Sequence, residues 1–203
     1  VEDDLGFVFR VVSGKDEARL SFKGSLLPNM EPSNHAVVDI GGGSTEFVTV
    51  SGGRSIDLGS VRFTERYLKS DPVTDDEFRI CLNEIDNSLE ELVDWRSTSP
   101  SGMQMLAVAG TATTLASWHL RLREFDAADV EKVQLTSADL FRMVKDLKRM
   151  SVKERRDQVG IDPKRADVLL AGAMIMWRTM EKLKFQACYI SSRGLRYGVL
   201  MDS

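Results

Sequence analysis

The stretch Val37-Val38-Asp39-Ile40-Gly41-Gly42-Gly43-Ser44-Thr45-Glu46-Phe47-Val48 restricts this chain most, because three consecutive glycines separate two runs of strand-forming residues. Val37, Val38 and Ile40 are β-branched, and Phe47, Val48 and Val50 resume the pattern. The pattern predicts a β-hairpin tipped by glycine, serine and threonine. Glycine reaches positive φ without a Cβ clash, so such a tip can curl and aim several N–H groups at one point. A nest of amides of that kind binds anions, phosphate above all. Asp39 closes the incoming strand and Glu46 opens the outgoing one. Two carboxylates beside a phosphate cradle repel a phosphate unless a cation stands between them. That points to a hard, oxygen-liganded ion, Mg²⁺ or its substitute Mn²⁺.

Two other phosphate loops fit less well. A dinucleotide fingerprint needs a third glycine three positions after the second and a helix behind it; Glu46 occupies that position and a strand follows. A Walker loop needs Gly-Lys-Ser/Thr, and the stretch has no lysine. A tight hairpin with no ligand is the plain alternative, but such a hairpin needs about two special turn residues, not five.

Composition narrows the classes. With 203 residues the chain can bury one sizeable core, and 42% hydrophobic with 29% charged residues is ordinary for a soluble globular protein. A net charge of −4 supplies no basic field for nucleic acid. No apolar run approaches the roughly 18 residues of a membrane span. Cys81 and Cys188 lack CxxC spacing and read as buried thiols in a reducing, cytoplasmic setting. His35 and His119 have no ligand or nucleophile at useful spacing, which argues against a zinc enzyme or a Ser-His triad.

Taken in order, Leu5 to Val12 reads as a strand, and Ser13 with Asp16 caps a helix from Asp16 to about Leu27. Pro28 to Asn34 is a loop. After the hairpin, Ser51-Gly52-Gly53-Arg54 turns into a third strand, Ser55 to Leu58. The short helix Val61 to Leu68 puts Arg62 and Arg66 on one face, as a phosphate contact or as a solvated pair. Thr74 and Glu77 start a core-facing helix that runs to Trp95. Met103 to Ala109 reads as a buried parallel strand. It runs into Gly110-Thr111 and a helix to about Leu122, which is either an anion site at a helix N-terminus or a βα turn capped by threonine. Arg123 to Lys132 is polar and irregular, and Ala138 to Met150 is a helix capped by Thr136. From Arg142 to Arg165, nine Lys/Arg face four Asp/Glu, either as a track for a polyanion or as a solvated helical face. Pro163 marks a helix start, and apolar residues continue to Met180. Ala187 to Ile190 is the last strand, Ser191 to Gly194 its exit loop, and Leu195 to Met201 the final helix.

The glycine stretch resembles the second phosphate loop of the actin-like, sugar-kinase-like ATPase superfamily. Four further blocks narrow the likeness: Ser13-Gly14-Lys15-Asp16-Glu17-Ala18-Arg19-Leu20, Ala109-Gly110-Thr111, Arg165-Ala166-Asp167, and Gly194-Leu195-Arg196 with Gly198. Together, in this order, they resemble the exopolyphosphatase / guanosine pentaphosphate phosphohydrolase family. That resemblance implies an α/β, ribonuclease H-like lobe with a mixed five-stranded sheet and flanking helices. It makes residues 1–27 the end of a first lobe, otherwise outside the sequence, and 28–203 the second lobe. It implies hydrolysis of a terminal phosphoanhydride of polyphosphate or guanosine pentaphosphate, with Mg²⁺, and a homodimer that uses neither nucleic acid nor membrane.

The resemblance also assigns roles. Glu17, which its position alone would make a helix-dipole carboxylate, becomes the group that orients and deprotonates the attacking water. Asp39 and Glu46 hold the metal. Gly41, Gly42, Gly43, Ser44, Gly110 and Thr111 hold phosphate. In the exit loop, Ser192 stands where many members carry aspartate. An ATP-binding lobe of kinase or chaperone type, or a domain that only senses a phosphorylated nucleotide, would use the same hairpin.

Overall fold

The structure, a computed structural model, describes residues 13–100 and 102–202, so the expected strand Leu5 to Val12 lies outside the described residues. Strand β1 (His35–Ile40) runs antiparallel to β2 (Thr45–Thr49), with Asp39 opposite Glu46 and Ile40 opposite Thr45. Strand β3 (Gly52–Ile56) pairs antiparallel with β2 and begins three residues earlier than the turn signal suggested. Only Val50 and Ser51 make the connection, because Gly52 adopts φ +133 and pairs at once with Thr49. Strand β4 (Gln104–Val108) lies parallel to β1, with Val108 beside Asp39.

Two further strands follow: β5 (Gln134–Leu135) and β6 (Cys188–Ile190), the latter parallel to β4. The sheet order is β3-β2-β1-β4-β6-β5. The mixed α/β architecture is as expected, with a sixth strand added. That strand has two residues, too few for any alternation to show in sequence.

The helices are α1 (Gly14–Ser25), α2 (Ser60–Tyr67), α3 (Asp75–Glu90), α4 (Val93–Ser97), α5 (Ala109–Leu120), α6 (Ala127–Val130), α7 (Ser137–Arg149), α8 (Val152–Arg156), α9 (Leu169–Lys182) and α10 (Leu195–Met201). Capping boxes at Thr74/Glu77 and Thr136/Asp139 start α3 and α7 where their sequence signals lie. Pro163 does not start α9. The Asp162 carboxylate accepts from Lys164 N–H at 3.0 Å, and the Asp162 carbonyl accepts from Arg165 N–H at 2.9 Å. That Asx turn keeps the chain out of helix until Leu169. No helix among the described residues is long and apolar enough to cross a membrane.

Alternation along the strands divides the interior in two. Ala36, Val38, Ile40, Phe47, Met105 and Ala107 join the large core built with α3, α5, α7 and α9. Val37, Val48, Leu106 and Val108 join a small core closed by Phe22 of α1. Asp39 shares parity with Val37, and Glu46 with Val48, so both carboxylates lie on the face beneath α1. Helix α10 packs on α1 at backbone distance: a Cβ on Gly198 would lie 1.9 Å from the Leu20 carbonyl oxygen. Asp202, beyond α10, accepts from Arg19 at 2.8 Å and Lys23 at 3.2 Å, and these bonds hold its carboxyl below the usual carboxylate range.

Candidate phosphate and metal site

The glycine loop between β1 and β2 is built by contact, not by handedness. None of Gly41, Gly42 or Gly43 adopts a left-handed φ, which corrects the reason expected for their presence. The space is filled instead. A Cβ on Gly42 would meet Val61 Cγ2 at 3.1 Å, and one on Gly59 would lie 2.2 Å from the Gly42 carbonyl oxygen. That close approach lets the first turn of α2 reach the loop. Ser60 N–H donates to the Gly41 carbonyl at 2.9 Å, and the Val61 and Arg62 N–H groups both donate to Gly42 at 3.0 Å. Within the loop, Gly41 N–H donates to the Ser44 carbonyl at 3.0 Å. The N–H groups of Gly42, Gly43 and Ser44 have no acceptor among the described residues.

The two carboxylates differ in their support. Glu46 Oε1 accepts from Ser44 Oγ at 2.6 Å and from Ser55 Oγ at 2.9 Å. Asp39 is half-buried, and no donor among the described residues reaches its carboxylate. Burial, then the facing charge of Glu46, pushes its pKa up to about 6. An undersatisfied carboxylate with a second one opposite it suits a hard cation, which would relieve both causes. Among the described residues no three His, Cys, Asp or Glu side chains cluster for a metal. The Asp39–Glu46 pair fits the donor set of Mg²⁺, which takes one or two carboxylates, keeps waters and binds substrate phosphate.

Glu17 is exposed in the first turn of α1. Gly14 and Asp16 of that turn line a cleft of ≈ 570 Å³ together with Glu46. Glu17 itself is not among the residues that line this cleft.

The second expected loop starts α5. Ala109 holds φ 65, a left-handed backbone unusual for a residue with a Cβ. The Thr113 hydroxyl donates to the Ala109 carbonyl at 3.1 Å, and no side chain caps the helix, so the amides at its start are not closed by threonine. Gly110 is partly open. The Thr111 side chain is buried against Gly172, where a Cβ would lie 2.7 Å from Thr111 Oγ1, so Thr111 offers only its backbone. Gly41, Gly42, Ala109 and Gly110 share a cleft of ≈ 520 Å³ with Lys164 and Arg165. The Arg165 guanidinium lies directly over Gly110, where a Cβ would be 1.9 Å from Arg165 Cζ. Sequence reasoning did not place Lys164 and Arg165 in the site; their signals were the local basic excess and the Arg-Ala-Asp block.

The remaining cations of that basic segment disperse. Arg155 is buried and donates to the Leu147 carbonyl at 3.0 Å, Arg142 pairs with Asp139, and Lys148 with Asp75. In the exit loop, Arg193 forks onto Glu131 with both bonds at 3.1 Å, and Ser192 donates to the same carboxylate at 2.7 Å. Of the helix pair, Arg66 lies over the Tyr67 ring at 5.2 Å, whereas Arg62 donates to the Gly43 carbonyl at 2.8 Å. His35 is buried with Nδ1 2.8 Å from the Glu31 carbonyl, and both thiols are free and buried.

The sequence model of the Ppx/GppA phosphatase family matches residues 1–203. The chain belongs to that family. It is 33% identical over 189 residues to exopolyphosphatase 2 of Mycobacterium tuberculosis, covering 90% of this chain and 58% of that protein. It is 26% identical over 206 residues to the guanosine-5'-triphosphate,3'-diphosphate pyrophosphatase of Photobacterium profundum, covering 99% of this chain and 40% of the other. The crystal structure of the type II variant of the Aquifex aeolicus Ppx/GppA phosphatase superposes with a TM-score of 0.88 at 28% identity, over 99% of this chain and 67% of that one. The chain thus spans little more than half the length of its exopolyphosphatase relative.

Proposed function

We propose that this chain is part of a Mg²⁺-dependent hydrolase that releases terminal orthophosphate from polyphosphate or guanosine pentaphosphate. The observation that carries the reading is the Asp39–Glu46 cross-strand pair set beside three open amides at the glycine loop. Membership of the family, with relatives named for both substrates, supports the reaction class.

In this reading Asp39 and Glu46 would hold Mg²⁺, which would neutralise charge on the phosphate oxygens. The amides of Gly42, Gly43 and Ser44 bind the terminal phosphate, and their fixed dipoles stabilise charge that grows during transfer. Gly110 with the Thr111 amide, and the cations Lys164 and Arg165, receive the more distant phosphates. Glu17 orients the attacking water and takes its proton from the α1 side, the face toward which both carboxylates project. Positioning and electrostatics supply most of the catalysis, as phosphoryl transfer requires.

The test is orthophosphate release from each substrate by the longest natural polypeptide that carries this chain. Glu17→Gln is expected to lower kcat by about 100-fold or more with little change in KM, and EDTA to abolish release. ATP turnover without release from either substrate would overturn the reading in favour of a kinase-like lobe.

A further inference from the structure

We propose that Arg62 is a positioning residue of the phosphate loop, the last of three pins that turn its amides to one side. This rests on the phosphate-binding reading above. In a trans peptide the carbonyl and the following N–H point in opposite directions. A donor that holds the carbonyl therefore aims the next N–H away from itself. The Gly41 carbonyl is held by Ser60 N–H at 2.9 Å and by Ser60 Oγ at 3.2 Å, which turns Gly42 N–H away from α2. The Gly42 carbonyl is held by the Val61 and Arg62 N–H groups, which does the same for Gly43 N–H.

The third peptide cannot be held in this way. The next helix amide, Phe63 N–H, already donates to the Gly59 carbonyl at 2.9 Å. A side chain replaces it: Arg62 Nε donates to the Gly43 carbonyl at 2.8 Å, which turns Ser44 N–H to the same side as the other two. The guanidinium is steadied at its far end by Asp57, 3.3 Å from its terminal nitrogen. Without this bond the Gly43–Ser44 peptide has a glycine on one side, and beyond it a Ser44 held through its carbonyl by Gly41 N–H and through its hydroxyl by Glu46; neither bond grips the peptide itself, so its plane can rotate. The Arg62 charge is therefore secondary, and the placement of its Nε is what matters.

Three substitutions separate placement from charge. In Arg62→Gln, the side-chain nitrogen falls where Arg Nε stood, with no charge. Arg62→Lys keeps the charge and puts carbon at that position, and Arg62→Met keeps neither charge nor donor. Binding of Mg²⁺-tripolyphosphate to the longest natural polypeptide that carries this chain is measured by calorimetry, and backbone order parameters of Gly42, Gly43 and Ser44 by NMR. The pin predicts Gln within about twofold of the parent and Lys and Met both weaker by about fivefold to tenfold, as the loss of one hydrogen bond implies. It also predicts order parameters for residues 43 and 44 that fall toward about 0.6 in Lys and Met alone.

Lys binding like the parent while Gln loses affinity would overturn the pin in favour of charge. Equal binding and equal order in all three would overturn it outright. If the parent itself fails to bind tripolyphosphate, the phosphate reading falls, and the order parameters still decide whether Arg62 fixes the loop.

Discussion

Asp39 is a carboxyl that its own fold holds partly protonated near neutrality. Burial and Glu46 raise its pKa to about 6, above the ordinary value near 4. The fold therefore favours the neutral acid. Stability from this group is full below about pH 4 and is lost as pH rises through about 6. At pH 7.5, without metal, Asp39→Asn is expected to stabilise the chain by about 1–2 kcal/mol, after allowance for partial exposure, or ~3–6 °C in Tm. The gain shrinks as pH falls below 6. Added Mg²⁺ should raise the Tm of the parent and not of the variant; equal responses to Mg²⁺ would remove Asp39 from the metal site. At this scale the sequence was informative about identity and less so about circumstance. The spacing put Asp39 and Glu46 on facing strands, and the register places them opposite each other. What it could not carry was support: of the two hydroxyls on Glu46, Ser44 comes from the loop itself, but Ser55 arrives on a third strand whose start was displaced by Gly52, and among the described residues no donor reaches Asp39.

Helix α2 holds its place through one atom that is missing. Gly59 has φ −122, which any residue tolerates, yet its Cβ would overlap the loop peptide, 2.2 Å from Gly42 oxygen and 2.4 Å from Gly43 carbon. Gly59→Ala is expected to cost about 1–3 kcal/mol in urea unfolding, as overpacking does, and to weaken phosphate binding with it. A variant with parental stability and affinity would mean that α2 can back away from the loop without consequence. This explains why the glycine tip was legible as a loop and misread in its cause. Propensity treats glycine as a source of unusual φ, whereas here the constraint comes from a helix whose bonds to the loop span 19 residues, which local pattern does not contain. The same holds for Pro163, where the hydrogen-bonded Asp162 overrode a plausible helix start.

Among the described residues the two faces of the sheet are unequal. The large core is shared by four long helices, while the opposite face packs against α1 and the few residues around Phe22. Local opening should follow that inequality. Phe22→Ala is expected to cost about 3–4 kcal/mol and to speed amide exchange in α1 and α10 before β4 and α9 respond. Uniform acceleration across the chain would show that both faces open together. The α/β class, the helix caps and the parallel strand β4 could all be read from periodicity, because each is a local pattern. The two-residue edge strand and the dispersal of the basic segment, with Arg155 inside and Arg165 over Gly110, arise only when distant elements pack.

The fastening of the glycine loop has one further effect. Each loop carbonyl that accepts from the start of α2 has its peptide polarised, which makes the N–H at the other end of that peptide a stronger donor. The positive end of the helix dipole is thus passed through the loop peptides rather than presented directly. Helix α2 would then act on a phosphate that it never touches.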